Sequence, residues 1–144
     1  MIRLIRSLTD KPIYVDANQG WPTKEHALMM CQWLADQGVV MIEQPMPKHM
    51  NEEHAWLCEQ VNLPILADEA CQTYDDVEKL APYYDGINIK LMKCGGVAEA
   101  RKMIALAREL GMQVMIGCMT ETRAGISAAT ILSPLVDYAD LDGH

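Results

Sequence analysis

Four ionisable side chains stand near the ends of apolar runs in this sequence. Asp16 lies in VDAN, Glu43 in IEQP and Asp68 in ADEA, and Lys90 interrupts the run GINIKLM. Carboxylate oxygens are the ligands that hard divalent cations prefer, and a set without histidine or thiolate favours Mg²⁺, or Mn²⁺, over Zn²⁺. The structural alternative for a single acid is a helix cap or a surface ion pair. Three acids in succession with the same placement favour a metal site.

Lys90 is predicted to exchange a proton with a substrate. A lysine ammonium is costly to bury, and both desolvation and a nearby cation lower the pKa of such a group. A neutral amine can then accept a proton as a general base. The alternative is a structural lysine that pairs with Asp68 or Glu43.

A repeated strand and helix pattern must position these residues. Amphipathic segments separate the strand-like runs, with helix starts at Asn51 and Thr73 and glycine stops at Gly38 and Gly111. This alternation predicts a parallel sheet with right-handed crossovers. The six runs start 22 to 27 residues apart and are PIYVDAN from Pro12, VVMIEQP from Val39, PILADEA from Pro64, GINIKLM from Gly86, QVMIGCM from Gln113 and YADLDGH from Tyr138.

The alternation of side chains along a strand sorts these residues onto two faces. One face is apolar and should pack under helices; it includes Ile13, Val15, Val40, Ile42, Ile65, Ala67, Ile87 and Ile89. The other face is mixed and includes Tyr14, Asp16, Asn18, Glu43, Asp68, Asn88 and Lys90. A doubly wound sheet would bury both faces under helices, whereas a TIM barrel places polar side chains at its mouth. The fold class predicted is therefore α/β, with a partial TIM-type barrel.

Size makes the predicted barrel incomplete. A whole barrel needs eight strands and roughly 250 residues, whereas six strands fit in these 144 residues. The chain also begins in what resembles the end of a helix, MIRLIRSLTD. We therefore expect a piece of a longer protein, and we expect its two unpaired sheet edges to make the isolated piece poorly stable or prone to form a homo-oligomer.

Composition excludes several classes of partner. The net charge is −8, and the basic residues are scattered instead of clustered, so a nucleic-acid partner is not expected. The five cysteines form no Cys-x-x-Cys pair, which indicates reduced thiols that mostly pack in the core. Neither a secretory leader nor a run of about eighteen apolar residues occurs. These features predict a soluble, cytoplasmic protein without a membrane partner.

Four motifs in order, VDANQGW, IEQP, ADEA and NIKLMKCGG, resemble the enolase superfamily and its muconate-lactonising-enzyme subgroup. The resemblance implies that Asp16, Glu43 and Asp68 are Mg²⁺ ligands and that Lys90 is a general acid or base on the sixth barrel strand. The strands here would then be the third to the eighth. In that family the metal binds a substrate carboxylate, and a base removes the α-proton to give an enediolate. Asn18 and Gln44 would support the ligands or contact water.

The last two strands suggest the substrate. In DLDGH, Asp140 and Asp142 share the face assigned to the cavity, where two carboxylates suit a cationic group. They resemble the Asp-x-Asp motif of dipeptide epimerases in this subgroup, which implies a dipeptide with a free amino end, such as L-Ala-D/L-Glu. The alternative for DLDGH is a polar turn. Met119 on the preceding strand also faces inward and is assigned to substrate contact, although an inward methionine often only packs.

The resemblance also shows what this chain lacks. The family supplies a second acid or base from a Lys-x-Lys motif on its second strand, and no such motif occurs here. Residues 1–144 would be part of the catalytic barrel domain, without the capping domain, the first two strands and the C-terminal segment. Lys93 has the wrong parity against Lys90 and is expected to lie in a loop with the following glycines.

Two other functions stay open on the residues alone. One is a lyase or cycloisomerase of the same subgroup, such as an o-succinylbenzoate synthase or a muconate cycloisomerase. Substrates of those enzymes carry no ammonium, so Asp140 and Asp142 argue against this function. The other is a half-barrel without catalytic activity.

Overall fold

Strands and helices alternate along the chain, as the spacing of the apolar runs predicts. The computed structural model describes residues 1–144. All six strands are parallel and pair in chain order. The strands are β1 (Ile13–Asp16), β2 (Val39–Glu43), β3 (Ile65–Ala67), β4 (Gly86–Lys90), β5 (Gln113–Gly117) and β6 (Tyr138–Ala139). The helices are α1 (Ile2–Arg6), α2 (Lys24–Asp36), α3 (Asn51–Gln60), α4 (Tyr74–Leu80), α5 (Leu91–Cys94), α6 (Val97–Glu109) and α7 (Arg123–Thr130), with a 3-10 turn at Ser133–Leu135.

An aromatic contact between the first and the last strand shows that the sheet is curled. Neighbouring strands lie about 4.8 Å apart, so β1 and β6 of a flat sheet of this size would be separated by about 24 Å. Instead, the ring centroids of Tyr14 on β1 and Tyr138 on β6 are 5.4 Å apart, edge to face. The six parallel strands therefore form a curled half-barrel with helices between them, and the prediction of a partial TIM-type barrel is confirmed.

The apolar residues form two separate clusters on the two sides of the sheet. The larger cluster lies between the strands and the helices, and Ile42, Ile65 and Ile89 in it are fully buried. The smaller one lies inside the half-barrel and consists of Met41, Leu66 and Met115, against which Tyr138 packs. It belongs to the same sheet face as the ionisable residues, so it forms an apolar floor beneath them.

Val40 departs from the predicted pattern. It was expected to face the helices, yet 39% of its surface is exposed and Val39 is buried in its place. The cause is a register shift in the pairing of β1 with β2, since Ile13 pairs with Val39 whereas Tyr14 pairs with Met41. The irregularity leaves Val40 without a partner on β1, and the expected alternation resumes at Met41.

Helix ends mostly follow the predicted residues. Gly38 and Gly111 have φ values of 74° and 75° just after α2 and α6, a conformation that side chains with a Cβ rarely adopt. Thr73 begins α4 with a reciprocal capping box. Asn51 does begin α3, but its side chain caps nothing and Met50 occupies the N-cap position. None of the helices is long and apolar enough to cross a lipid bilayer.

Candidate active site

Three parallel strands bring their terminal carboxylates to one place. Asp16 ends β1, Glu43 ends β2, and Asp68 follows β3 directly. Each contributes an oxygen that lies within 4.8 Å of the other two. Glu43 and Asp68 are only 5% and 4% exposed, whereas Asp16 lies at the open mouth. The donor set consists of hard oxygen ligands on rigid strand ends, so it fits a divalent cation such as Mg²⁺.

Crowding of negative charge perturbs the cluster. Burial, with contributions from the charges of Asp68 and Asp16, raises the pKa of Glu43 to about 7. Burial and the Asp68 charge also raise the pKa of Asp16 above its ordinary value. Both carboxylates are therefore harder to ionise than usual, and a cation placed among them would favour their charged forms.

Asn18 holds the carboxylate of Asp16 in place. Its backbone N–H donates to Asp16 Oδ1 at 2.8 Å, and its side-chain amide donates to Asp16 Oδ2 at 2.6 Å. The backbone of Asn18 has a φ of 46°, a left-handed conformation that asparagine tolerates better than most residues. Asn18 thus lies beside a predicted ligand, and its role in supporting that ligand stays a prediction.

Gln44 contacts the site indirectly, by binding backbone groups at and near Asp68. It is fully buried, and its Oε1 accepts hydrogen bonds from the N–H groups of Asp68 at 2.9 Å and Ala70 at 3.2 Å. Its amide nitrogen donates to the Tyr84 hydroxyl at 3.0 Å and to the Met46 carbonyl at 3.2 Å. Both ends of the side chain are occupied by protein groups, so Gln44 supports the position of Asp68.

Lys90 extends from the end of β4 into the carboxylate cluster. Its Nζ donates to Asp68 Oδ2 at 2.7 Å, and 13% of its side chain is exposed. Burial acts to lower the pKa of Lys90, but the hydrogen bond and charge of Asp68, together with the charges of Glu43 and Asp16, outweigh it and raise the pKa. The direction is opposite to the one predicted, which assumed a cation next to the lysine. The pairing with Asp68 expected of a structural lysine is also present.

Lys93 belongs to the cluster, and the prediction that placed it in a loop is wrong. The chain turns into the one-turn helix α5 immediately after Lys90, and residues three apart on a helix share a face. Lys93 Nζ consequently donates to Asp68 Oδ1 at 2.6 Å, to the Asp68 carbonyl at 2.8 Å and to the Asn88 carbonyl at 2.9 Å. Its side chain is 4% exposed. The helical spacing of Lys90 and Lys93 could have revealed this contact.

Asn88 is a further polar group beneath the carboxylates. Its amide nitrogen donates to Glu43 Oε1 at 2.6 Å, while its buried Oδ1 has no protein partner. The sequence placed Asn88 on the inner face but gave it no function. Gly117 on the neighbouring strand provides the space, because a Cβ added there would lie 2.6 Å from Asn88 Oδ1 and 2.7 Å from Nδ2.

Replacing Gly117 with alanine should therefore disturb the site. The added methyl group must push the Asn88 amide away from Glu43, because both side chains are buried. We expect a loss of about 1–3 kcal/mol in the free energy of unfolding, in the range of overpacked cores. Urea unfolding measures it, with Gly111→Asn as a control, since no atom lies within 4 Å of a Cβ at Gly111 and asparagine tolerates a positive φ. An alanine variant as stable as the parent would contradict this account.

The residue that follows β6 adds an acidic group to this region. Asp140 lines a cleft of about 290 Å³ together with Asp16, Glu43, Tyr14 and Met115. Burial, and then the adjacent charge of Asp142, raise the pKa of Asp140. The two aspartates predicted to share a face are therefore close to each other, with Asp142 exposed in the loop that follows.

Met119 lies two residues beyond the end of β5, outside the strand to which it was assigned from the sequence. Its surface is 44% exposed, and its backbone N–H donates to Glu121 Oε1 at 3.1 Å. It is not among the residues that line the cleft between Asp16 and Asp140. Contact with a substrate stays a prediction for this residue.

The fold and the arrangement of these side chains define the class. The protein is a parallel α/β half-barrel whose ionisable groups gather at the carboxyl ends of its strands. In TIM-type barrels, this is the end that carries the active site. The chain belongs to the enolase C-terminal domain-like family, whose sequence model matches residues 1–142.

Several proteins that match nearly all of this chain are named epimerases. An L-Ala-D/L-Glu epimerase from Bacteroides thetaiotaomicron is 58% identical over 144 residues, which are all of this chain and 38% of that protein. An L-Ala-D/L-Glu epimerase from Escherichia coli K12 is 42% identical over 99% of this chain and 44% of its own length. A dipeptide epimerase from Enterococcus faecalis V583, solved with Mg and the dipeptide L-Leu-L-Tyr, superimposes with a TM-score of 0.93 at 39% identity, covering 99% of this chain and 42% of that one. The chain thus spans about two fifths of the length of each of these relatives.

Proposed function

We propose that this chain is part of the catalytic barrel domain of a Mg²⁺-dependent dipeptide epimerase. The observation that carries the proposal is the proximity of two groups of residues. The carboxylates of Asp16, Glu43 and Asp68 lie together beside Lys90, and Asp140, which has Asp142 next to it, lines the same cleft as Asp16 and Glu43. The three carboxylates and Lys90 are suited to removing an α-proton next to a substrate carboxylate. The acidic pair is suited to binding a substrate ammonium group. The dipeptide epimerases among the relatives support this assignment.

Asp16, Glu43 and Asp68 would hold the divalent cation, and the same oxygen donors would accept Mn²⁺. When bound, the cation supplies positive charge beside the substrate carboxylate and so stabilises the negative charge that develops when the α-proton leaves. Asn18 and Gln44 would keep two of the ligands oriented through the hydrogen bonds described above.

Lys90 would transfer the proton on one face of the substrate. It makes fewer contacts than Lys93, the other lysine at Asp68, with a single hydrogen bond and a partly exposed side chain. Once its ammonium has lost a proton to water, the amine can take the α-proton from one configuration of the substrate. In the reverse direction, the ammonium can donate a proton to the same face of the enediolate that forms from the other configuration. Asp140 and Asp142 would bind the amino end of the dipeptide, with Met119 near the substrate side chains.

Epimerisation needs a second proton donor on the opposite face of the α-carbon. The 144 residues contain no Lys-x-Lys motif, so the proposal assigns this group, with a capping domain, to the remainder of a longer protein. A relative such as the E. coli enzyme is matched over 44% of its length. We also propose that the protein is cytoplasmic and that β1 to β6 are the third to the eighth strands of the whole barrel.

The acidic pair offers a test of the substrate class. Asp142→Asn in the complete protein is expected to lower kcat/KM for dipeptides with a free amino end by about ten-fold or more, in the range of a hydrogen bond to a charged group. Turnover of N-acetylated dipeptides, which carry no ammonium, should change little. Chiral chromatography of the products measures both, and Asp36→Asn on the exposed end of α2 is the matched control.

The outcome separates the candidate functions. Equal losses on free and N-acetylated dipeptides would remove the assignment of Asp142 to the ammonium. Elimination or ring opening of acids without an amino group, combined with no epimerisation of any dipeptide, would favour the lyase or cycloisomerase function.

A further inference from the structure

Asp68 is held by two lysines in different ways. Lys90 binds its Oδ2 with one hydrogen bond, whereas Lys93 binds its Oδ1 and its backbone carbonyl. Lys93 also donates to the Asn88 carbonyl, so all three ammonium protons have acceptors. Its side chain is 4% exposed, against 13% for Lys90. Lys93 is therefore the fixed partner of Asp68 and Lys90 the replaceable one.

Backbone contacts complete the restraint on Asp68. Gln44 Oε1 accepts from the Asp68 N–H at 2.9 Å, while Lys93 binds the carbonyl of the same residue at 2.8 Å. With Oδ1 also held by Lys93, Oδ2 is the one polar atom of Asp68 whose partner can move away without breaking the contacts of Gln44 and Lys93.

Charge balance also distinguishes the roles of Lys90 and Lys93. The three carboxylates carry three negative charges when ionised. A divalent cation and the Lys93 ammonium together supply three positive charges, which leaves the cluster neutral without Lys90. Since a buried cluster is most stable when its charges are compensated, a lysine that is not needed for compensation is free to change its partner.

We propose that Lys93 is a positioning residue that clamps Asp68 through Oδ1, so that a metal ion can replace Lys90 at Oδ2 and release Lys90 toward the substrate. The inference rests on the metal site of the proposed function and adds a residue to it. Only 4% of the Lys93 side chain is exposed, so a substrate has little access to its ammonium group. It acts through Asp68.

Matched lysine substitutions test the clamp. Mg²⁺ is titrated by calorimetry into the complete protein, without dipeptide, for the parent, Lys93→Met and Lys90→Met. Lys93→Met should raise the Mg²⁺ dissociation constant about ten-fold, or about 1.4 kcal/mol, because Asp68 loses its clamp and retains only Lys90, which competes with the metal. Lys90→Met removes that competitor and should bind Mg²⁺ as tightly as the parent or more tightly.

Other outcomes decide against the clamp. Mg²⁺ binding by Lys93→Met that equals or exceeds that of the parent would overturn the proposal, as would a parent protein that binds no Mg²⁺. A purely structural lysine would lower the melting temperature of the chelated protein but leave the Mg²⁺ affinity of the folded molecules unchanged, which also overturns it. If Lys93→Met does not fold, Lys93→Gln retains two N–H donors without the charge and should show the same ten-fold rise.

The metal titration is independent of turnover. A protein that binds Mg²⁺ but epimerises no dipeptide would refute the proposed function, while the comparison of the two lysine variants would still decide the clamp. Lys102→Met serves as a surface control, because Lys102 pairs with Glu99 on the exposed side of α6.

Discussion

Lys90→Ala is expected to abolish α-proton exchange from one face of the dipeptide while leaving exchange from the other face. The amine of Lys90 is the one proposed proton carrier in this part of the cavity, and a positioned general base contributes about 10²–10⁴ in rate. A dipeptide of one configuration at its C-terminal residue should therefore lose its α-proton at least about a hundred-fold more slowly. The opposite configuration should still exchange, because its proton would leave to the second base.

The Lys90 variant should retain its metal site, which makes the kinetic result specific. Asp68 remains bound to Lys93 when Lys90 is truncated, so Mg²⁺ should bind as in the parent. Proton nuclear magnetic resonance in D₂O follows each configuration separately, and Lys102→Ala is the surface control. Equal slowing of both configurations would mean that Lys90 acts by supporting the site and not by transferring a proton.

Glu43→Gln is expected to remove Mg²⁺ binding and, with it, activity. The substitution retains the side-chain shape and an oxygen that can accept from Asn88, yet it deletes one charge from a donor set of three. Loss of a charged ligand should weaken Mg²⁺ binding by more than the roughly 10–100-fold typical of supporting residues. Treatment of the parent protein with a chelator should have the same effect on activity.

Thermal unfolding distinguishes this effect from misfolding. A cation that binds the folded state raises the melting temperature of the parent, and this rise should vanish in Glu43→Gln. In chelator, the variant should melt at or above the parent temperature, since a buried carboxylate whose pKa is raised to about 7 is replaced by a neutral amide. Glu99→Gln on the exposed side of α6 is the control. An Mg²⁺-dependent rise that persists in Glu43→Gln would exclude Glu43 as a ligand.

The sequence predicted the sheet and the carboxylate cluster because both depend on periodic patterns. The spacing of the apolar runs specified alternating strands and helices, and side-chain alternation within a strand placed Asp16, Glu43 and Asp68 on one face. Both patterns extend over many residues, so a local error does not remove them. The polar face also led to the prediction of a barrel, which requires a curled sheet. The contact of Tyr14 with Tyr138 shows this curl.

The predictions from sequence missed the local breaks in the strand pattern. Val40 was misplaced because the register shift between β1 and β2 depends on how two distant segments pair. Lys93 was misplaced because strand alternation was extended past Lys90, where the chain already turns as helix α5. The rise in the pKa of Lys90 without a bound cation was not predicted, because the balance between burial and three neighbouring carboxylates depends on distances that no pattern encodes.

The most direct test of the central claim is deuterium incorporation by the complete protein. The protein is incubated in D₂O with Mg²⁺ and a panel of dipeptides that includes L-Ala-L-Glu, and the α-proton signal of each residue is followed by nuclear magnetic resonance. The account predicts loss of the α-proton signal of the C-terminal residue, appearance of the epimer, and neither change in the presence of a chelator. Retention of that signal in every dipeptide, by a protein that binds Mg²⁺, would contradict it.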